Sequence, residues 1–486
     1  MKSIQTLSLA ALAAAVLTAC SGGGDVAPGP AIDLTTARGT LVANPPTVLA
    51  SFPTAVDFTN VLSATASGKG LLSLAGAPKC GVTFYYMEYN TVGGAGEATN
   101  ATGGIMVPSG TDAACTGPRP VLLYSHGTAV EKNINMASPA YGEAGLVAAM
   151  YAAQGWIVVT SNYAGYDASR LPYHPYLNAE QQSSDMVDAL RAARTAFPKV
   201  GAADSGKLFL SGYSQGGYVS MATHKAMQNN YASEFKVTAS GNMSGPYSLS
   251  KTFAQGAAGG LGLGATYFAP LIYTSWQKAY GNIYSNPSDL YEAAYATGIE
   301  TLLPTATLNF TTLITSGKLP LKTWADRPLV TGNPSLDALF ASGIGTPNLL
   351  KTSYRNAVLA NPATHPLTLA AAKNDLLNWT PTRPVAMCLG AQDPTVFGTN
   401  TVDAATYFAT KGASSLVKVF DLEDVTTVGP QLAGIFAALK SANAADATLG
   451  ATPTERVLST YHGGLVPPMC NLAVRAYFQQ VLAAGL

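Results

Sequence analysis

The chain has 486 residues, of which only 11% are charged, with 27 Lys and Arg balanced by 27 Asp and Glu. Soluble domains usually carry about 25% charged residues. With no net charge there is no basic face for a nucleic acid, and a hydrophobic share of 48% argues against a disordered chain. A coiled coil is excluded as well, because too few charges are available for its e and g positions. These exclusions leave a large globular chain with an uncharged, polar surface.

Residues 1–19 are predicted to be an export signal. Lys2 precedes an apolar stretch that is too short to span a bilayer but fits a signal peptide. The stretch ends in the letters LTAC, which resemble a bacterial lipobox, so Cys20 is predicted to be acylated. Ordinary signal cleavage that leaves a free Cys20 is the alternative. Residues 20–40 are predicted to be a flexible tether, and the protein to be an outer-membrane lipoprotein or secreted.

The remaining four cysteines are predicted to form two disulfides. An even count in an exported chain favours disulfides, although four cysteines allow three connectivities. We predict the pairs Cys80–Cys115 and Cys388–Cys470, because each joins the cysteines that are nearest in sequence within one half of the chain. No CxxC motif is present, so no redox or metal site is predicted.

Strand-like and helix-like segments alternate from residue 82 onward. Two runs before residue 109 are predicted to form an antiparallel hairpin, and later apolar runs are typical of buried parallel strands. These runs are residues 120–125, 156–163 and 207–214. Amphipathic helical segments between them predict an α/β fold with a mainly parallel sheet and helices on both faces. Residues 41–80 have no clear pattern and are expected to lie over the core.

The alternation stops near Pro246 and resumes at residues 383–390. The interval is far too long for an ordinary connection between a strand and a helix, and it contains apolar helical stretches and scattered prolines. We predict an inserted, mostly helical cap at residues 247–381. It would divide the α/β core into residues 41–246 and 382–486.

The strongest chemical signal is the motif GYSQG at residues 212–216. It follows an apolar strand and precedes a helix, and such a sharp turn holds a serine hydroxyl exposed to a base and a substrate. The two glycines relieve steric crowding, and the helix N-terminus points N–H groups at a developing oxyanion. Ser214 is therefore predicted to be a nucleophile.

A serine at such a turn between a strand and a helix, called a nucleophile elbow, predicts partners in the chain order Ser, acid, His. Histidine is scarce in this chain, so there are few candidates for the base. Of the five histidines, only His462 follows all the predicted strands, so it is predicted to be the base. Two of the others precede the serine, one lies in the following helix and one lies in the predicted cap. These four are His126, His174, His224 and His365.

Asp393 follows the strand at residues 383–390 and is predicted to be the acid that fixes the tautomer of His462. Asp421 and Asp424, at the end of the next strand, are rivals, and Asp375 is a more remote one. The predicted disulfide between Cys388 and Cys470 would tie the strand before Asp393 to the segment after His462.

An HG pair at His126 and Gly127 follows the third apolar run, where an oxyanion loop is expected. The residue after HG and the residue after the nucleophile would offer their N–H groups. Thr128 and Gln215 are therefore the predicted donors, and His126 is expected to be structural.

Together these features are similar to the secretory-lipase and related esterase branch of the α/β-hydrolases, over roughly residues 80–486. The features are GYSQGG, the HG loop, the long cap, SNYAGY at 161–166 and HPY at 174–176. The resemblance implies hydrolysis of carboxylic esters through an acyl-enzyme without a cofactor, and it makes Tyr163 a candidate substrate contact. Two departures are an Asn-Tyr pair where the group commonly has Asp-Tyr, and an additional segment at about 422–455.

Apolar acyl, aryl or polymeric esters are the expected substrates. A serine peptidase of the same fold, or an inactive hydrolase-like surface lipoprotein, is the alternative. No nucleic-acid partner is expected, membrane contact is expected only through the lipid anchor, and a monomer is predicted.

Overall fold

A computed structural model describes residues 37–320, 323 and 348–485. The predicted signal peptide, the predicted lipidation site Cys20 and most of the predicted tether lie outside these residues. Within the described ranges, no helix is long and apolar enough to cross a membrane.

One sheet of nine strands organises the described part of the chain. The strands are β1 (Thr47–Phe52), β2 (Gly81–Val92), β3 (Ala98–Ser109), β4 (Arg119–Ser125), β5 (Ile157–Ser161), β6 (Asp204–Tyr213), β7 (Val237–Met243), β8 (Val385–Leu389) and β9 (Val417–Asp421). Their order in the sheet is β1-β2-β3-β5-β4-β6-β7-β8-β9. The first four in that order pair antiparallel, and the pairs from β5 to β9 are parallel. The predicted α/β class with an antiparallel edge is confirmed.

Helices cover both faces of this sheet. They are α1 (Ala55–Ser63), α2 (Ala66–Ala75), α3 (Gly142–Met150), α4 (Ala179–Ala196), α5 (Gln215–Asn230), α6 (Leu249–Ala258), α7 (Ala265–Tyr280), α8 (Pro287–Leu290), α9 (Ala293–Ala296), α10 (Phe310–Thr315), α11 (Thr352–Ala360), α12 (Pro366–Lys373), α13 (Thr399–Thr410), α14 (Val425–Ala445), α15 (Pro453–Thr460) and α16 (Val466–Ala483). One core contains α4, α5 and α7, and the other contains α1, α2, α3 and α16.

The central strands are apolar throughout because both of their faces are covered. In β4, Val121 and Leu123 enter one core, whereas Leu122 and Tyr124 enter the other. This two-residue alternation is the normal geometry of a strand. All four side chains are therefore buried.

Two strands, β1 and β7, were not predicted. β1 is an edge strand with an exposed face, so the segment at 41–80 adds to the sheet and does not merely cover the core. β7 has the sequence VTASGNM, and its polar residues hide its strand character. Asn242 of β7 accepts a hydrogen bond from Ser220 at 2.7 Å, and Ser240 lies 2.8 Å from Nδ1 of His224. These partners allow a polar strand to be fully buried.

The described residues between β7 and β8 form helices α6 to α12 and no sheet strand. They pack onto the ends of α4 and α5: Asn374 accepts the N–H of Ala179 at 3.0 Å, and the Tyr218 hydroxyl donates to the Asn374 carbonyl at 2.7 Å. The extent of the cap, residues 247–381, stays a prediction.

Both predicted disulfides are present. Cys80 is bonded to Cys115, and Cys388 in β8 is bonded to Cys470 in α16. The second bond joins the strand that leads to Asp393 with the helix that follows His462.

Replacing both Cys388 and Cys470 by Ala should lower the free energy of unfolding by about 4.5 kcal/mol in the chain-entropy model, because this bond spans 82 residues of sequence. The matched pair of changes at Cys80 and Cys115 spans 35 residues and should cost about 0.8 kcal/mol less. Guanidinium unfolding of the two double variants measures both losses. Wild-type stability of the first variant would contradict the expectation.

Candidate active site

Ser214 lies at a sharp turn between β6 and α5. Its φ of 58° and ψ of −118° are strained for a residue with a side chain, as a nucleophile elbow requires. A Cβ on Gly212 would lie 2.3 Å from the Gly216 carbonyl oxygen, and a Cβ on Gly216 would lie 1.9 Å from the Ser125 carbonyl oxygen. The turn can therefore form only with glycine at these two positions.

Three side chains singled out in the sequence form a continuous chain of hydrogen bonds. Nε2 of His462 lies 2.8 Å from Oγ of Ser214, and Nδ1 of His462 lies 2.6 Å from Oδ2 of Asp393. Ser214 is 7% exposed and Asp393 is 2% exposed, so both bonds are largely shielded from water. When Nδ1 donates to the carboxylate, Nε2 keeps a lone pair that can accept the serine proton.

The loop after β8 fixes the orientation of Asp393. Its Oδ1 accepts the N–H groups of Thr395 and Val396 at 2.9 and 3.0 Å. Because these two donors occupy Oδ1, Oδ2 is directed at His462.

The rival carboxylates have other partners. Asp421 accepts two backbone N–H groups, one of them from Ala391 in the loop that carries Asp393. Asp424 caps the N-terminus of α14, and Asp375 is hydrogen-bonded to a serine of α6. Each of the three therefore has a local structural role.

His462 lies in a single π-helical turn, Tyr461–Leu465, a rare element that is frequent at functional sites. The Tyr461 hydroxyl donates to Glu423 at 2.6 Å and accepts the N–H of Gln392 at 3.3 Å. Glu423 belongs to the additional segment noted in the sequence. This segment thus bridges the loop of the histidine and the loop of the acid.

The HG loop after β4 lies against the elbow. A Cβ on Gly127 would be 4.0 Å from the Cβ of Ser214. Neither the Thr128 N–H nor the Gln215 N–H has a hydrogen-bond partner in the described part of the chain. Unpaired backbone donors are rare in a protein interior and are the groups from which oxyanion sites are built.

Tyr163, a candidate substrate contact in the sequence analysis, lies beneath the HG loop. It is fully buried, is not among the residues that line the cavity beside Ser214, and donates its hydroxyl to the His126 carbonyl at 2.9 Å. Its ring also stacks on His126, with centroids 4.1 Å apart. Tyr163 therefore supports the HG loop and does not contact the cavity, because its ring points back beneath that loop.

Two further tyrosines of the segment 162–177, here called the tyrosine loop, contact the same loop. The Tyr166 hydroxyl donates to the Ala129 carbonyl at 2.5 Å, and the Tyr176 hydroxyl lies 2.7 Å from Oγ1 of Thr128. Sequence reasoning missed these contacts. The only signal for them was the density of tyrosine in this loop.

His174, in the same loop, holds the side chain of Gln215. Its Nδ1 lies 2.9 Å from the Ala164 carbonyl oxygen, and its Nε2 lies 2.6 Å from Nε2 of Gln215. Burial lowers the pKa of His174 to about 3, so the ring is neutral near pH 7 and can donate from Nδ1 while accepting at Nε2. Burial also lowers the pKa of His126 to about 4, which fits the structural role expected for it.

Asn162 stands where the similar lipases and esterases commonly have Asp, and its hydrogen bonds explain this difference. Its side-chain oxygen accepts the N–H of Met136 at 2.7 Å, and its side-chain nitrogen donates to Oγ1 of Thr102 at 2.9 Å. An ionised aspartate could accept the first bond but could not donate the second. The amide therefore suits this position.

An apolar cavity of about 130 Å³ opens beside Ser214 and Gln215. Its walls come from the tyrosine loop, α6, α7 and the loop after β8. The apolar side chains that line it include Leu249, Phe253, Leu261, Phe268, Ile272 and Phe397.

Comparisons with known proteins show which proteins this chain resembles. Residues 141–254 match the Secretory lipase family, whereas no curated protein matches the chain. A ligand-bound form of the rice cell wall degrading esterase LipA from Xanthomonas oryzae is 26% identical, with 92% of this chain and 100% of that chain covered and a TM-score of 0.70. A Legionella pneumophila protein, 20% identical, shares the fold, with 83% and 98% covered and a TM-score of 0.63.

The similarity to LipA extends over nearly the whole length of that esterase. The disulfides and the match to a secretory family indicate an exported protein. The chain is therefore similar to the secretory-lipase and esterase branch of the α/β-hydrolases, and these comparisons support a hydrolase of the lipase and esterase type.

Proposed function

We propose that the protein cleaves carboxylic esters through an acyl-enzyme, with Ser214 as nucleophile, His462 as base and then acid, and Asp393 as the orienting carboxylate. The observation that carries the proposal is the unbroken chain of hydrogen bonds from Asp393 to Ser214, with lengths of 2.6 and 2.8 Å. The strained backbone of Ser214 supports it, because strain of this kind concentrates at nucleophilic elbows.

In the acylation step, Oγ of Ser214 attacks the ester carbonyl carbon while its proton moves to Nε2 of His462. The carbonyl oxygen becomes an oxyanion, which accepts the free N–H groups of Thr128 and Gln215. Collapse of this intermediate breaks the bond to the alcohol oxygen, and the alcohol leaves with the proton from His462.

In the deacylation step, a water molecule takes the place of the alcohol. His462 removes a proton from the water, the hydroxide attacks the acyl carbon, and the acid product leaves as Oγ of Ser214 regains its proton. Asp393 stabilises the imidazolium in both steps. Side chains and water make every transfer in this scheme.

The cavity favours esters with a small apolar acyl or aryl group. A cavity of about 150 Å³ holds one benzene molecule, and the cavity here is about 130 Å³. Its apolar walls bind hydrocarbon without leaving polar groups unpaired. A peptide substrate would bring amide groups that such walls cannot satisfy.

Ser214→Ala should abolish ester turnover and labelling by a fluorophosphonate probe. Asp393→Asn should lower kcat by about 10⁴-fold, because the wrong tautomer of His462 would face the serine. The matched control is the rival acid: Asp424→Asn replaces one good helix cap by another and should keep wild-type turnover. A loss of turnover in Asp424→Asn with none in Asp393→Asn would contradict the assignment of the acid. Labelling of Ser214→Ala by the probe would exclude Ser214 as the nucleophile.

The acyl-chain preference should follow the size of the cavity. Among p-nitrophenyl esters, kcat/KM should be highest for acyl groups of up to about six heavy atoms and should fall towards palmitate, and p-nitroanilides should be cleaved far more slowly. Ile272→Ala enlarges the cavity and should move the optimum to longer chains. Leu271→Ala, on the same helix but not in the lining, should leave the optimum unchanged. A wild-type optimum at palmitate, or faster anilide cleavage, would contradict the proposal.

We also propose that the mature protein is an outer-membrane lipoprotein acylated at Cys20. The support is the LTAC sequence that ends the apolar stretch and the export indicated by the disulfides. Metabolic labelling with a radioactive fatty acid should mark the wild type and not Cys20→Ala, and the variant should leave the membrane fraction. Equal labelling of the two proteins would exclude acylation at this residue.

A further inference from the structure

Glu143, in the first turn of α3, is a partly buried carboxyl group that the mechanism above does not use. Its two oxygens lie 3.1 Å from the backbone nitrogen of Gly127, and Oε1 also accepts the Tyr124 hydroxyl at 3.0 Å. These partners are neutral groups. No ion pair of Glu143 is found among the residues that the structure describes.

A carboxyl group in this environment is unfavourable for stability. Burial raises the pKa of Glu143 to about 7, and the hydrogen bonds from Gly127 and Tyr124 oppose that rise. Even partial burial of a carboxyl group without a cation is unfavourable. Carboxyl groups with a raised pKa concentrate at functional sites, so the position of Glu143 relative to Ser214 matters.

Glu143 reaches the nucleophile through a single residue. A Cβ on Gly127 would lie 3.6 Å from Oε2 of Glu143 on one side and 4.0 Å from the Cβ of Ser214 on the other. Gly127 therefore lies between the carboxyl group and the elbow.

The hydrogen bonds of Gly127 determine the direction of the next N–H group. Its N–H is held by Glu143, and its carbonyl oxygen lies 2.6 Å from Nδ1 of His126. Because a trans peptide is planar, the Thr128 N–H points away from that carbonyl oxygen. The Gly127 N–H belongs to the preceding peptide, and the Gly127 carbonyl belongs to the peptide that carries the Thr128 N–H. The two sets of bonds therefore hold both peptide planes that meet at Gly127 and limit reorientation of the Thr128 N–H.

We propose that Glu143 is a positioning residue of the oxyanion site: its carboxyl group anchors the Gly127 N–H and thereby keeps the Thr128 N–H directed at the intermediate formed on Ser214. This inference rests on the proposed ester hydrolysis. A carboxyl group accepts through either oxygen and a protonated one still accepts through one, so the anchor works in both protonation states.

The test compares Glu143→Leu, Glu143→Asp and Glu143→Gln with wild type on p-nitrophenyl butyrate. Loss of one oxyanion donor costs about 10²- to 10³-fold in kcat, so a donor that is present but poorly directed should cost about 10- to 100-fold. We expect this loss for Leu, and for Asp, whose shorter side chain cannot reach Gly127, with KM changed less than about threefold. Glu143→Gln should recover most of kcat, because its amide oxygen can still accept the Gly127 N–H. The affinity of an alkyl boronic acid, which mimics the tetrahedral intermediate, should fall in parallel with kcat/KM.

Tyr124→Phe is the matched control, because it removes the other hydrogen bond of Glu143 and leaves the bond to Gly127 in place. It should keep kcat within about threefold. Unchanged kcat and boronate affinity in folded Glu143→Asp, a loss in Glu143→Gln as large as the loss in Glu143→Leu, or a loss in Tyr124→Phe of that size would overturn the proposal. If the Leu variant fails to fold, the Asp and Gln variants decide the question. Turnover by Ser214→Ala would instead show that the proposed reaction is wrong, so the two failures are distinguishable.

Discussion

The site depends on one close approach between two stretches of backbone. The carbonyl of Ser125, at the end of β4, lies so near the elbow that a Cβ on Gly216 would be 1.9 Å from its oxygen. This approach puts the HG loop beside Ser214, so that the end of another strand supplies one wall of the proposed oxyanion site. Such proximity is available only where parallel strands end at the same edge of a sheet, and β4 and β6 are direct neighbours. The order of the strands therefore determines that the HG loop and Ser214 lie side by side.

A chain with few charges must satisfy its buried backbone with neutral groups, and here tyrosine does much of this. Three phenol hydroxyls of the tyrosine loop bond to residues 126–129, and Tyr461 bridges the loops of the acid and the histidine. A phenol brings a large apolar body together with one hydrogen-bonding tip. It can therefore fill the core and fix a loop without the cost of burying an ion.

What the sequence could predict depended on how local each signal was. Ser214 is marked by its flanking glycines and its place between a strand and a helix, and His462 could be found because histidine is scarce. β7 was not predicted, because its burial relies on hydrogen-bond partners in α5 that no local sequence pattern reveals. Tyr163 was misplaced because the sequence of a loop does not say whether a ring faces the cavity or the backbone beneath. No sequence pattern pointed to Glu143, since its partner Gly127 lies in a separate loop, after β4.

The acid is the member of the site that depends most on distant parts of the chain. Its strand is tied by the disulfide to α16, and its loop is bridged to the π-helical turn by Tyr461. From the cap region, the Leu263 N–H donates to the Pro394 carbonyl, next to Asp393, at 2.7 Å. Leu263 lies just before α7, which lines the cavity. The segment that leads into this wall of the cavity and the loop that orients Asp393 towards His462 are therefore hydrogen-bonded to each other.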